Sequence, residues 1–111
     1  MTTLRELQDE LLPWQQHNFP GRATWEPVMG VAEEAGELSH AFLKRHQRIR
    51  GENHDEEIKD AIGDIIVYLA DVCNAEDFDL QECLDITWAK VKKRDWRPNQ
   101  EKLESRMEKK I

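Results

Sequence analysis

No apolar run in this chain is long enough to cross a bilayer, so no transmembrane span is expected. No useful stretch alternates apolar and polar residues, so strands are not expected and helices remain as the reading. Cysteine is scarce, with Cys73 and Cys83 the only two among 111 residues. Both sit inside apolar helical patterns with no His or Cys at ligand spacing, which predicts reduced core residues rather than a disulfide or a zinc site. An excess of positive charge is also missing. Sixteen Lys and Arg stand against 23 Asp and Glu, a net charge of −7, which argues against a general nucleic-acid-binding surface. An acidic protein can still act on a phosphorylated small molecule when metal ions bridge the like charges. The opening residues, MTTLRELQDELL, mix both signs and lack the apolar stretch of a secretion signal, so cytoplasmic residence without membrane association is expected.

What is present is helical periodicity. Thr3 with Glu6 reads as a capping box opening helix 1, followed by Leu4, Leu7 and Leu11. Pro13 predicts a kink or a restart before WQQHNF, and PGRAT predicts a loop. Helix 2 is expected from Trp25 to Pro27 as far as about Arg45, with a core stripe of Val28, Val31, Ala35, Leu38 and Phe42. HQRIRGENHD reads as a polar loop. Helix 3 is expected from about Asp55 to Cys73, with Ile58, Ile62, Ile65, Leu69 and Val72 inward. Asp79 with Glu82 reads as a second capping box, opening helix 4 to about Arg94 with Leu80, Leu84, Thr87 and Val91 inward. Short connections then imply an all-α, antiparallel four-helix bundle-like fold. The chain reads as one domain over 1–111, with its core at about 3–96. Residues 97–111 read either as a short helix docking on a partner through Leu103, Met107 and Ile111 or as a frayed tail.

The acids are not scattered. Glu33, Glu34 and Glu37 fall within five residues of helix 2, opposite its apolar stripe, with His40 and Lys44 continuing the row. On helix 3, Glu57, Asp60, Asp64 and Asp71 form a second row. Like charges one turn apart destabilise an isolated helix by about 0.2–0.5 kcal/mol per pair. Such rows are ordinarily solvated surface. Here they are concentrated in two short windows. Gly36 and Gly63 stand beside them, each costing about 1 kcal/mol in a helix interior, which suits close approach of another helix or a ligand. The run DIIVYLADVC is apolar almost all round, so Asp64 at its start should be partly buried and in need of a counter-charge. Carboxylate oxygens are the ligands Mg²⁺ prefers, and acids at i/i+3 or i/i+4 on two helices build an oxygen-lined pocket in a bundle.

EEAGEL followed after a loop by DAIGDIIVYL resembles the MazG-like nucleotide pyrophosphohydrolases of the all-α NTP pyrophosphatase superfamily. Their pattern is E-E-x-x-E on one helix and E-x-x-D on the next. Glu33, Glu34 and Glu37 match the first half, and the similarity spans roughly Trp14 to Trp96. The second half departs from the pattern. Asp64 takes the place of the family's Asp, but Ala61 stands where Glu is usual. Either Asp60 with Asp64, or Glu57 with Asp60 one turn earlier, then completes the motif, the first pair being preferred because i and i+4 share a face.

The resemblance implies hydrolysis of a nucleoside triphosphate, expected to be a deoxynucleotide, between the α and β phosphates. It implies a dimer or tetramer of such bundles. The site would consist of Mg²⁺ (or Mn²⁺) on Glu34, Glu37, Asp60 and Asp64, with Glu33 or Glu34 activating the attacking water. Lys44 and Arg94 are the preferred phosphate-facing cations, ahead of Arg48, Arg50 and Lys90. Trp14, Phe19 and Trp25 surround the loop where a base would stack. Two rival readings remain open. One is a non-enzymatic helical module whose acidic faces bind a basic partner. The other is a pyrophosphohydrolase for another nucleotide such as phosphoribosyl-ATP.

Overall fold

A computed structural model describes residues 1–48 and 54–97. The chain forms four helices: α1 (Leu4–Asn18), α2 (Glu26–Gln47), α3 (Asp55–Glu76) and α4 (Leu80–Val91). No strand is present among the described residues, so the all-α expectation holds. The expected segment at 98–111 and the phosphate-facing candidate Arg50 lie outside the described residues.

Local chemistry sets the helix ends. The Thr3 hydroxyl accepts from the Glu6 N–H at 3.2 Å and donates to Glu6 Oε1 at 3.1 Å, opening α1. Pro13 does not restart the helix, since α1 runs through it. Proline there removes the N–H that would have bonded the carbonyl one turn back and crowds that carbonyl, but the helix continues past it. Pro27 occupies the first turn of α2, where a missing N–H costs nothing. Asp55, Glu56 and Glu57 occupy the first turn of α3, where the helix dipole favours negative charge. Asp79 Oδ1 accepts from the Gln81 N–H at 3.0 Å and starts α4.

α3 is the hub. It packs against α1, α2 and α4, whereas α2 packs on α3 alone among the helices. Gln8 locks the far end of this arrangement. Its amide nitrogen donates to Asn74 Oδ1 at 3.1 Å and to the Phe78 carbonyl at 2.9 Å. Its amide oxygen accepts from the Leu80 N–H at 2.8 Å. At the other end, Arg45 of α2 reaches Asp55 of α3 at 3.0 Å.

The faces differ from the periodic expectation. Pro27, Gly30 and Ala41 are the buried residues of α2, with Glu34 half-buried between them. Val28, Ala35 and Phe42 of the expected core stripe are exposed, and Val31 and Leu38 are half-buried. On α3, Ile58, Ala61, Ala70, Asp71 and Cys73 are buried, while Ile62 and Leu69 are exposed. The α2–α3 seam therefore runs between the apolar stripe and the acidic row, leaving one on each side. The reason is steric. Glycine and alanine let two helices come close, and Tyr68 takes up the space: a Cβ at Gly30 would overlap its ring. Gly36 and Gly63, expected to serve such an approach, have nothing within 4 Å of a Cβ.

Three smaller expectations are also corrected. α4 contains no buried residue, so Leu84, Thr87 and Val91 do not point into a core of this chain. Cys83 is exposed although Cys73 is buried, and both are free thiols. α4 ends at Val91, so Arg94 lies beyond it.

Candidate active site

α2 and α3 bring their acidic rows to the same side of the seam. Glu37, His40 and Lys44 from α2 face Glu57, Asp60 and Asp64 from α3 across a cavity of about 460 Å³. Four expected site residues, Glu37, Asp60, Asp64 and Lys44, thus line one cleft. Glu34 lines neither this cavity nor the one beside it, and has Glu37 and Asp64 as charged neighbours. Its pKa is pushed up, first by burial of the carboxyl, then by the neighbouring Glu37 and Asp64 charges. Glu34 Oε2 is buried and has no hydrogen-bond partner among the described residues. A buried carboxylate oxygen without a donor is costly, in keeping with the raised pKa of this group.

Glu57 behaves differently. His54, almost fully buried at the start of α3, lies 3.4 Å from its Oε1. Lys44 Nζ approaches Oε2 at 3.7 Å. Its pKa is lowered, chiefly by the hydrogen bond with His54 and then by Lys44. Glu57 thus already has counter-charge, whereas Glu34 has only like charges around it. Among the described residues, no group of three or more acids, histidines or cysteines is placed so that it could already hold a metal ion. What is assembled is the donor set, all hard carboxylate oxygen, which is chemically suited to Mg²⁺ or Mn²⁺.

A second cavity of about 540 Å³ adjoins the first and shares Asp64 with it. Trp14, Phe19 and Trp25 line it beside Glu33 and Tyr68. Trp14 and Phe19 meet edge to face, 5.9 Å between ring centroids. The expected aromatic and acidic residues therefore line two neighbouring cavities, one aromatic and one carboxylate-rich, with Asp64 in common. Arg94 lines neither cavity, nor does Lys90 or Arg48.

Four polar residues of the aromatic cavity escaped the sequence reading of the site: Gln15, Arg22, Glu26 and Tyr68. Asp71 was legible as a member of the α3 row, yet it does not join the other acids. It pairs with Arg22 instead. Arg22 lies in a loop, where no periodicity points to a partner.

Two neighbouring helices that deliver clustered carboxylates to one cleft, within an all-α fold, define a class of helical domain with an acidic cleft. Within that class the match is specific: residues 27–97 fit the family model of the MazG nucleotide pyrophosphohydrolase domain. The chain belongs to this family, whose activity is hydrolysis of nucleotide pyrophosphate bonds and whose members are generally dependent on a divalent metal. Searches of curated proteins and of solved structures returned no match to the chain. No helix among the described residues is long and apolar enough to cross a membrane.

Proposed function

We propose that the chain hydrolyses a nucleoside triphosphate, with a deoxynucleotide the expected substrate, to the monophosphate and pyrophosphate in an Mg²⁺- or Mn²⁺-dependent reaction. The observation that carries this reading is the buried, unpartnered oxygen of Glu34 beside Glu37 and Asp64. Those three acids, with Asp60, would hold the metal. A bound divalent cation supplies charge neutralisation on the phosphates and lowers the pKa of a coordinated water.

The chain's own residues do the rest. Glu33 is exposed and lines the aromatic cavity beside Asp64, and it accepts the proton as water oxygen bonds to the α-phosphorus. The bond from that phosphorus to the bridging oxygen breaks, and pyrophosphate leaves with the electron pair. Lys44, held beside the acids by Glu57, offsets negative charge on the leaving group. Trp14 and Trp25 give the base a stacking surface at the aromatic end. Asp64, common to both cavities, sets the distance between the base and the reacting phosphates.

A second copy of the chain completes the assembly in this reading. Val28, Phe42, Ile62 and Leu69 leave an exposed apolar edge opposite the acids, and α4 exposes Leu84, Ile86 and Trp88. A patch of this kind is expected to be covered in a homodimer or homotetramer.

The test is pyrophosphate release from a panel of dNTPs and NTPs with Mg²⁺, Mn²⁺ or EDTA. Metal-dependent release is expected, with kcat lowered at least about a hundredfold in Glu37→Gln. Full turnover in that variant refutes the site, and no release from any nucleotide in any metal refutes the activity.

A further inference from the structure

The walls of the cleft come from three helices, of which α3 alone packs against both of the others. The aromatic wall belongs to α1 and the loop after it, through Trp14 and Phe19. The acidic wall belongs to α2 and α3. α1 and α2 make no direct helix contact, so α3 must hold the aromatic wall in place. At the end remote from the cleft, Gln8 does this with Asn74. At the cleft itself the link is Arg22. Its Nη2 donates to both carboxylate oxygens of Asp71 at 2.6 Å. The guanidinium lies against the Phe19 ring, 5.6 Å from its centroid, and Phe19 in turn meets Trp14. A single chain of contacts therefore runs from α3 through Asp71, Arg22 and Phe19 to Trp14.

The pair is also more deeply buried than a structural tie needs to be. The Asp71 side chain is 5% exposed and that of Arg22 21%. Desolvating two charges costs several kcal/mol per ion, and apolar residues of similar volume often stabilise as well or better. What such residues lack is a fixed direction, which a charge-assisted hydrogen bond provides.

We infer that Arg22 and Asp71 are positioning residues that tie the loop between α1 and α2 to α3 and so set the width of the nucleotide pocket. The inference rests on the proposed activity. Both residues line the aromatic cavity and neither lines the cavity between the acidic rows, so the pair acts on substrate affinity through the aromatic wall and not on the chemical step.

Removing one partner leaves a buried charge and risks unfolding, so the decisive variant removes both: Arg22→Met with Asp71→Leu. Steady-state kinetics would be measured with the dNTP the wild-type protein hydrolyses best, alongside melting temperature. KM is expected to rise roughly tenfold or more with kcat within about threefold of wild type. The variant should remain folded. Arg22→Lys, which keeps the charge on a narrower head, is expected to fall between the two. An unchanged KM in the folded double variant overturns the inference, as does a loss confined to kcat. If the double variant does not fold, wild-type KM in Arg22→Lys overturns it equally. Absence of turnover in the wild-type protein is a separate result, which refutes the proposed activity itself.

Discussion

Glu34 concentrates the conflict between stability and function in one side chain. Burial and two like-charged neighbours raise its pKa, so the folded protein binds a proton there more tightly than the unfolded chain does. The sign follows from linkage. The folded state is favoured by protonation, so this contribution is fully present below the ordinary carboxylate value of 4.5 and is lost as pH rises through the raised folded value. Metal-free protein should therefore melt at lower temperature as pH is raised above about 4.5, to the extent Glu34 controls it. Glu34→Gln should melt higher than wild type at neutral pH in EDTA, with the difference shrinking towards pH 4. Adding Mg²⁺ should reverse the order, because only wild type gains a bound cation. Melting curves with and without metal at the two pH values check all three statements. That the three glutamates form one group was legible from their spacing. Which of them would be buried was not, because burial depends on where the partner helix crosses.

Helix by helix, the starts and stops were largely readable while the faces were not. Thr3, Pro27 and Asp79 act on their own helix within one turn, so sequence spacing alone reports them. The seam between α2 and α3 instead depends on how close two backbones come. Gly30 and Tyr68 decide that, and neither belongs to an apolar period. The acids consequently lie beside the seam rather than on a wholly solvated face, which is how Glu34 becomes half-buried. Gly30→Ala should destabilise the protein by about 1–3 kcal/mol, since the Tyr68 ring has to move. Gly36→Ala should do the opposite. Its Cβ enters open space, and alanine is favoured in a helix interior by up to about 1 kcal/mol. Denaturant unfolding of the two variants beside wild type distinguishes a glycine that shapes the packing from one that does not.

For the whole molecule, the apolar edge is the dominant feature. Phe42 is 46% exposed and Ile62 also 46%, on adjoining helices, and Trp88 of α4 is 56% exposed. Sequence periodicity assigns Phe42 and Ile62 to the core of this chain, and both are exposed instead. It had no means of separating a core inside one chain from a core shared by two. Sedimentation of the purified protein should give a mass at least twice 13.1 kDa. Phe42→Glu with Ile62→Glu should reduce it to one chain without loss of helical circular dichroism. A monomeric wild type would refute the proposed assembly and leave the edge unexplained.

The hub position of α3 also dictates an order of events as the chain folds. Its seam with α2 joins segments that follow one another in sequence, as in the Arg45–Asp55 link, only 10 residues apart. Its junction with α1 joins Gln8 to Asn74, across 66 residues. Closing the longer loop costs more chain entropy before any contact repays it. The α2–α3 hairpin, with the acids already gathered on one side, is therefore the natural nucleus. The aromatic wall arrives when α1 docks. The carboxylate half of the cleft is thus encoded locally, and the aromatic half is added last.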